Sequence, residues 1–506
     1  MHPLRSTLAG LTAAIAMAAG LSDSAAGQDK TVTLDHVKER VATIENMPQM
    51  GRGTVAICVV DIGTREVLVA RNAHRIYAPA SVLKVVTTAA ALAKLGPDYR
   101  YTTTLQTAGK LEEGVLKGAL VLEGSGDPTM GSWRFASEGF PPMTAWAQAA
   151  AKAVTDAGIR RIEGDLYIDA SIFGDQIIPN DWAWDDIGNY YGAGAAGVNL
   201  HENLYHVDFQ IPERQGDLTR IADIRPKQAG IRFHNRVTAG PPRSGDQAYI
   251  YAAPYTDVAV IRGTLPADAG KYTIKGGIMD PPLFTARTLA DALKSAGVEV
   301  TGKATATFQT PRKPEGERTT VWTHQSPKLG DITYWLNKHS VNLYAEAFAK
   351  TLAVETDRPG TTEQGTRAVL DILGDLGVDT TGMILADGSG LSRRNAVSPR
   401  QVVDVLEKMA LHPTYDVYLN SFPLAGVDDD PGGLSRVGVN TPAADNLRAK
   451  SGFISHARSY AGYVVDQSGR QLAFCMIANE FPSAGGGAIR NAFRELMVDL
   501  AHLKAE

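Results

Sequence analysis

Three short patterns in this chain bring together the residue types that acyl transfer requires. Ser81-Val82-Leu83-Lys84 places a hydroxyl and an amine three positions apart. On a helix such residues are neighbours, with Cβ atoms about 5–6 Å apart. A serine hydroxyl is a weak nucleophile and needs a base. The surrounding segment, APASVLKVVTTAAALAKLG, is rich in Ala and Leu, and few residues from 80 to 95 are polar. This predicts a buried helix, and a lysine in such a helix loses hydration, which favours its neutral form. Neutral Lys84 could accept the Ser81 proton. The pattern puts Ser81 in the first helical turn, where free N–H groups and the helix dipole favour negative charge, so its own N–H is a natural half of an oxyanion hole. Ser340-Val341-Asn342 and Lys450-Ser451-Gly452 add hydroxyls, an amide and a second amine. Turns and strand ends supply such triplets freely, so each is weak alone. Each occurs once, in this order and in a suitable element, and that conjunction points to nucleophilic catalysis.

The elements that must position these groups can be read from apolar patterning. Pro79 suits the first turn of the helix that carries Ser81, and Gly96-Pro97 stops it. Upstream, TVAICVVDI (54–62) predicts a buried strand, Gly63-Thr64 a turn and EVLVA (66–70) a returning strand. Near the other end, LRAKSGFI (447–454), SYAGYVVD (459–466) and QLAFCMIAN (471–479) read as three strands, with a turn at Ser468-Gly469. Ile489, Phe493, Leu496, Met497, Leu500 and Leu503 then form one face of an amphipathic helix. Five strands with packing helices make one sheet covered by helices. Residues 101–330 differ: they are richer in Gly, Pro and short alternating strands such as GALVLEG and EGDLYIDAS. They read as an insertion between the Ser81 helix and the next helix, near 330–350, long enough for a smaller domain nested inside. The expected organisation is an α/β (α+β) domain built from 30–100 and 331–506, interrupted by an inserted strand-rich module at 101–330.

Composition bounds the chemistry further. The 506 residues carry a formal net charge of −5, with 44% apolar and 21% charged residues. A mildly acidic chain offers no electrostatic reason to bind nucleic acid. Cys58 and Cys475 lie in apolar, strand-like runs and read as two buried thiols, although their pairing stays open. Two cysteines cannot form a four-ligand zinc site, and CxxC and HExxH are missing, so no metal or organic cofactor is expected. Residues 1–26 read as a secretory signal peptide: Arg5, an apolar run from Leu8 to Leu21, then Ser24-Ala25-Ala26. The run, about 14 residues, is too short for a bilayer core of ~30 Å. The mature chain is therefore expected outside the cytoplasm, in the periplasm, without a transmembrane segment. Other signals are weaker. Gly192–Gly197 fits GxGxxG but follows no apolar strand. His201-Glu202 lacks a second His at zinc spacing, His456 reads as a surface or hydrogen-bonded histidine, and Asp428–Asp430 as a solvated turn. No serine lies in G-x-S-x-G, which counts against a lipase-type hydrolase.

Beyond the three patterns, GSGDPTM (124–130), WAWDDIGNYYGAGAAGVNLHEN (182–203), LNKHSVNLYAE (336–346), ADGSGLSRRNAVSP (386–399) and FPLAGVD (422–428) carry a specific resemblance. From about residue 34 to 500 the sequence resembles the type-4, class C penicillin-binding proteins, a family of D-Ala-D-Ala carboxypeptidases and endopeptidases. The resemblance implies a transpeptidase-like domain, shared with β-lactamases, with an antiparallel five-stranded sheet flanked by helices and a long insertion. It implies that Ser81 attacks the carbonyl between two D-alanines with Lys84 as base. It implies that Ser340 and Asn342 relay a proton to the leaving amine and hold the substrate amide. Lys450 would bind the terminal carboxylate, with Ser451 and Gly452 beside it. Phe453 would supply the second oxyanion N–H, and Asp186 would lie near the substrate. The implied partners are peptidoglycan stem peptides and, as covalent ligands, β-lactams. The third motif has Ser451 where many relatives have Thr, and Phe453 where they often have a small or hydroxyl residue. Two rival readings share the motifs: a β-lactamase or esterase of the same fold, and a catalytically silent cell-wall binding protein.

Overall fold

A computed structural model describes residues 32–505, so the expected signal peptide lies outside the described residues. The strands Thr54–Asp61 and Val67–Arg71 join Arg448–Ile454, Ala457–Val465 and Gln471–Asn479 in one five-stranded sheet. Its order from one edge is 448–454, 457–465, 471–479, 54–61, 67–71, and every neighbouring pair is antiparallel. The two ends of the chain thus meet in one layer, as the apolar runs predict.

Why those runs are continuous rather than alternating is clear from what covers the sheet. Cys58, Val60, Ala461, Cys475 and Ile477 face a cluster containing the helix Leu83–Leu95 and the helix Pro399–Ala410. Val55, Ile57, Val59, Phe474 and Met476 face the other way, against Leu34–Glu45 and Gly486–Ala501. With both faces buried, alternation carries no polar side, and the strands read as unbroken hydrophobic stretches.

The intervening chain forms three further sheets. A seven-stranded sheet is built on Thr102–Glu112 and Val115–Glu123, and two three-stranded sheets are centred on Leu204–Gln210 and Val258–Pro266. Two helices, Met143–Asp156 and Pro281–Ser295, pack on them, and the whole shares a core of its own. This region is strand-rich, but its helices escaped sequence reading.

Cys58 and Cys475 sit directly opposite each other on adjacent strands and are both buried free thiols. Burial pushes the Cys58 thiol up to about 11 and raises Cys475 as well. A thiol reacts through its thiolate. We expect neither cysteine of the native protein to react with iodoacetamide at pH 8, and both to react in denaturant. Rapid alkylation of the folded protein would contradict this burial.

Candidate active site

Ser81 lies in the tight 3-10 turn Ala80–Val82, one step ahead of the α-helix that begins at Leu83. This corrects the expectation that it occupies the helix's own first turn. The turn is possible because Ala80 takes a left-handed backbone, φ +47, which a non-glycine residue adopts only when its surroundings impose it. Those surroundings are identifiable. A Cβ on Gly390 would fall 1.9 Å from the Ala80 carbonyl, and a Cβ on Gly452 2.7 Å from the Pro79 carbonyl and 3.0 Å from the Ser81 nitrogen. Two glycines thus let a loop and the edge strand close on the turn. The Ser459 hydroxyl donates to the Pro79 carbonyl, and the Asn479 side chain bonds both backbone groups of Ala78.

Lys84 projects from the first turn of the helix into this junction and is fully buried. Its amine donates to the Ser81 hydroxyl at 3.2 Å, to Asn342 Oδ1 at 2.6 Å and to the Ser389 carbonyl at 2.6 Å. Burial lowers its pKa to about 7, although the carboxylates of Asp387 and Glu346 pull the other way. Desolvation therefore outweighs two buried negative charges, and the amine is poised to exchange a proton near neutral pH.

The second pattern occupies a break between two helices. Leu329–His339 ends at Ser340, whose φ of +57 turns the chain, and Asn342–Val354 starts two residues on. One helix was expected near 330–350; the left-handed Ser340 divides it. The Ser340 hydroxyl points across the site and accepts from the Lys450 amine at 3.0 Å, which also donates to the Ser451 carbonyl at 2.7 Å. Burial, then the nearby Lys84, holds Lys450 well below its ordinary value. Asn342 spends Oδ1 on Lys84 and one N–H on the Tyr191 carbonyl at 2.7 Å, leaving one N–H for a substrate. The structure thus brings the five residues to one site as two hydrogen-bonded sets, Ser81–Lys84–Asn342 and Ser340–Lys450.

A layer that sequence reading missed supports these groups. Glu346, one turn beyond Asn342 on the same helix face, accepts the Gly388 N–H on both oxygens at 3.1 Å. Asp387 accepts from Trp182 Nε1, from the Gly390 and Ser392 backbone N–H groups and from Asn395. Together they fix the loop whose Ser389 carbonyl meets Lys84. Burial and the Asp387 charge raise the Glu346 carboxyl. A further turn along, buried Lys350 donates to the carbonyls of Gln176 and Ala195 at 2.8 Å each. The only available signal was the unusual ADGSGLSR string, which is conspicuous but does not reveal which carbonyl faces Lys84.

The constellation opens into a cavity of about 380 Å³ lined by Ser81, Asp185, Asp186, Tyr190, Tyr191, Tyr249, His339, Ser340, Asn342, Leu391, Arg393, Phe453, Ile454 and Ser455. Asp186 is in this wall. Burial raises its pKa, as does Asp185, while a Tyr191 hydrogen bond and Arg393 oppose them. Phe453 is 57% exposed at the rim, with the Arg458 guanidinium 4.2 Å over its ring. Ser451 and Gly452 lie on the edge strand between Lys450 and Phe453. The other sequence signals fall elsewhere. Glu202 is buried, accepting from Ser132, Arg134 and Tyr344. The His456 ring bonds the Phe481 carbonyl at 2.8 Å, and Asp430 pairs with Lys338.

Known proteins resemble this chain over most of its length. Residues 37–500 match the D-Ala-D-Ala carboxypeptidase 3 (S13) family. The chain is similar to a D-alanyl-D-alanine carboxypeptidase of Actinomadura sp., 29% identical and covering 98% of this chain and 88% of the relative. It is also similar to the D-alanyl-D-alanine carboxypeptidase DacB of Haemophilus influenzae, 26% identical over 84% of this chain and 85% of that one. The crystal structure of penicillin-binding protein 4 from H. influenzae shares the fold, with a TM-score of 0.76 at 24% identity, covering 92% of this chain and 99% of that one. The same protein complexed with a β-lactam gives a TM-score of 0.72 at 23% identity, covering 92% and 99%.

Proposed function

The chain belongs to the D-Ala-D-Ala carboxypeptidase 3 (S13) family and is a serine-type D-alanyl-D-alanine peptidase, and from that premise we propose how its residues act and on what. Ser81 is the nucleophile and Lys84 its base. The observation that carries this is the 3.2 Å contact between the Ser81 hydroxyl and a fully buried amine whose pKa lies near 7. Attack forms a bond from Ser81 Oγ to the D-alanyl carbonyl carbon, while the hydroxyl proton passes to Lys84. The amide C–N bond then breaks. Its leaving nitrogen takes the proton that Lys84 received, relayed through the Ser340 hydroxyl, whose oxygen accepts from Lys450, so Lys84 returns to its neutral form. Water attacks the resulting ester by the reverse route and restores Ser81.

The Ser81 N–H and the Phe453 N–H on the edge strand would hold the developing oxyanion. Lys450 would meet the substrate's terminal carboxylate, with Ser451 and Gly452 forming the strand beside it. The free N–H of Asn342 would hold the substrate amide, and Asp186 would contact the stem peptide at the far end of the cavity. The substrate is peptidoglycan stem peptide, cut as a carboxypeptidase, as a cross-link endopeptidase, or both. β-Lactams acylate Ser81 because their amide resembles the scissile bond.

The test is a fluorescent penicillin followed by peptide mapping of the mature protein. The expected result is a stable adduct on the Ser81 peptide, with D-alanine released from a stem pentapeptide by the unlabelled enzyme. Rapid drug loss without an adduct would mean a β-lactamase. Neither adduct nor drug loss would favour a cell-wall binding protein.

We also propose export to the periplasm, from the apolar run and small residues in 1–26. Among the described residues no helix is long and apolar enough to cross a membrane. The mature protein, recovered from the periplasm, should begin shortly after residue 26. An intact amino terminus in the cytoplasm would overturn this.

A further inference from the structure

The three-stranded sheet Arg232–Gly240, Tyr249–Ala252 and Val258–Pro266 buries one face and leaves the other to solvent. Ile250, Ile261 and Val237 face the core. On the opposite side the register makes two cross-strand rows: Tyr249 beside Arg262 beside Arg236, and Tyr251 beside Val260 beside His234. An outward face normally carries mixed short polar side chains; here it carries aromatics at one edge and bases at the other. The Arg262 guanidinium stacks 4.3 Å over the Tyr251 ring, whose other neighbour is Trp184 at 6.3 Å. Trp184 is 56% exposed and Tyr249 41%. Among the described residues no carboxylate pairs with Arg236 or Arg262, whereas Arg232, one row farther out, is paired with Asp257. The face is not isolated: Tyr249 also lines the cavity that holds Ser81.

We infer that this face is a ledge that holds the glycan strand of peptidoglycan while a stem peptide enters the Ser81 cavity. The inference rests on the function proposed above and deepens it. A sugar ring has an apolar C–H face and a polar rim, and the exposed rings of Trp184 and Tyr249, on either side of the half-buried Tyr251, offer flat surface for the first. The unpaired guanidiniums suit the carboxylates of the peptides that hang from such a strand, since Arg binds carboxylates through parallel N–H bonds. Continuity through Tyr249 gives the polymer one path from ledge to nucleophile. A small peptide ends within the cavity and gains nothing from the ledge.

The experiment uses the full mature chain with Ser81→Ala to prevent turnover, sedimented with purified peptidoglycan sacculi, alone and with Tyr251→Ala/Arg262→Ala or Arg236→Glu/Arg262→Glu. Each pair should weaken sedimentation about tenfold, a magnitude expected for lost stacking and charge contacts together. In the Ser81 background the same pairs should leave fluorescent-penicillin labelling and D-alanine release from a soluble pentapeptide unchanged, and unchanged thermal unfolding would show that the sheet survives. Sedimentation within twofold of the parent for both pairs would overturn the ledge while leaving the peptidase reading intact. Equal loss with sacculi stripped of their peptides would place the contact on the sugars, and loss confined to peptide-bearing sacculi on the carboxylates; both support the ledge. Failure of penicillin to label Ser81 would instead sink the reading beneath it.

Discussion

Lys84→Ala should lower the rate of acylation by a penicillin by about 10³-fold or more, the scale of a positioned general base, while the protein still folds. The geometry makes the loss specific. Lys84 is the group placed 3.2 Å from Ser81 that can take its proton, and its two other contacts, Asn342 Oδ1 and the Ser389 carbonyl, are acceptors that hold the amine in place. Lys450 is not placed to substitute, because its amine bonds Ser340 and the Ser451 carbonyl rather than Ser81. Stopped-flow acylation beside a circular-dichroism spectrum decides the matter: near-normal acylation in a folded variant would remove Lys84 as base.

The same assignment fixes a pH profile and its sign. The base must be neutral to accept a proton, and burial places the Lys84 pKa at about 7. Acylation should therefore be slow in acid, rise through about pH 7 as Lys84 loses its proton, and level off above. In Lys84→Ala that rising limb should vanish from the residual rate. The facing charged groups set where the limb falls. Asp387 and Glu346 favour the charged amine, so neutralising Glu346 as Gln should move the limb to lower pH.

How much of this was legible in the sequence depended on whether a side chain or a backbone atom does the work. Ser81 and Lys84 were readable because helical spacing of three dictates proximity, and the five core strands because double-sided burial leaves unbroken apolar runs. Ser340, Asn342 and Lys450 were readable only as patterns in order; the fold, by joining both chain ends in one sheet, brings them to Ser81. The carbonyls of Ser389 and Tyr191 were not legible at all, since every residue has one. Glu346 and Asp387 looked like ordinary charges because their burial is a tertiary fact, created when the 386–399 segment packs against the Asn342 helix. Nor could Ala80 be recognised as left-handed: alanine has no preference for that region, and the strain is imposed by Gly390 and Gly452 closing in. The helices at 143–156 and 281–295 lie among strands and Gly-rich turns, and a compositional reading of the region averaged them away.

Gly452 yields the second large effect. It lies on the edge strand beside the Ser81 turn, and a Cβ there would fall 2.2 Å from Ser459 Oγ, 2.7 Å from the Pro79 carbonyl and 3.0 Å from the Ser81 nitrogen. The first clash could be relieved by turning the Ser459 hydroxyl, at the cost of its bond to Pro79. The other two involve backbone atoms and can be relieved only by moving the strand away from the turn. That strand carries both Lys450 and the Phe453 N–H, so the movement displaces together the groups proposed as the carboxylate anchor and as one side of the oxyanion site. A displacement of about 1 Å at a reacting centre costs roughly 10²-fold in rate, so Gly452→Ala should lower acylation by about that factor. The overpacking itself should cost about 1–3 kcal/mol of stability. Two controls isolate the cause. Gly433→Ala, where nothing lies within 4 Å of the added carbon, should change neither quantity. Ser459→Ala combined with Gly452→Ala removes the nearest clashing atom and should recover part of the rate, because the strand then needs to retreat less. Acylation by Gly452→Ala within threefold of the parent would mean that the close approach of strand and turn is not what positions Ser81.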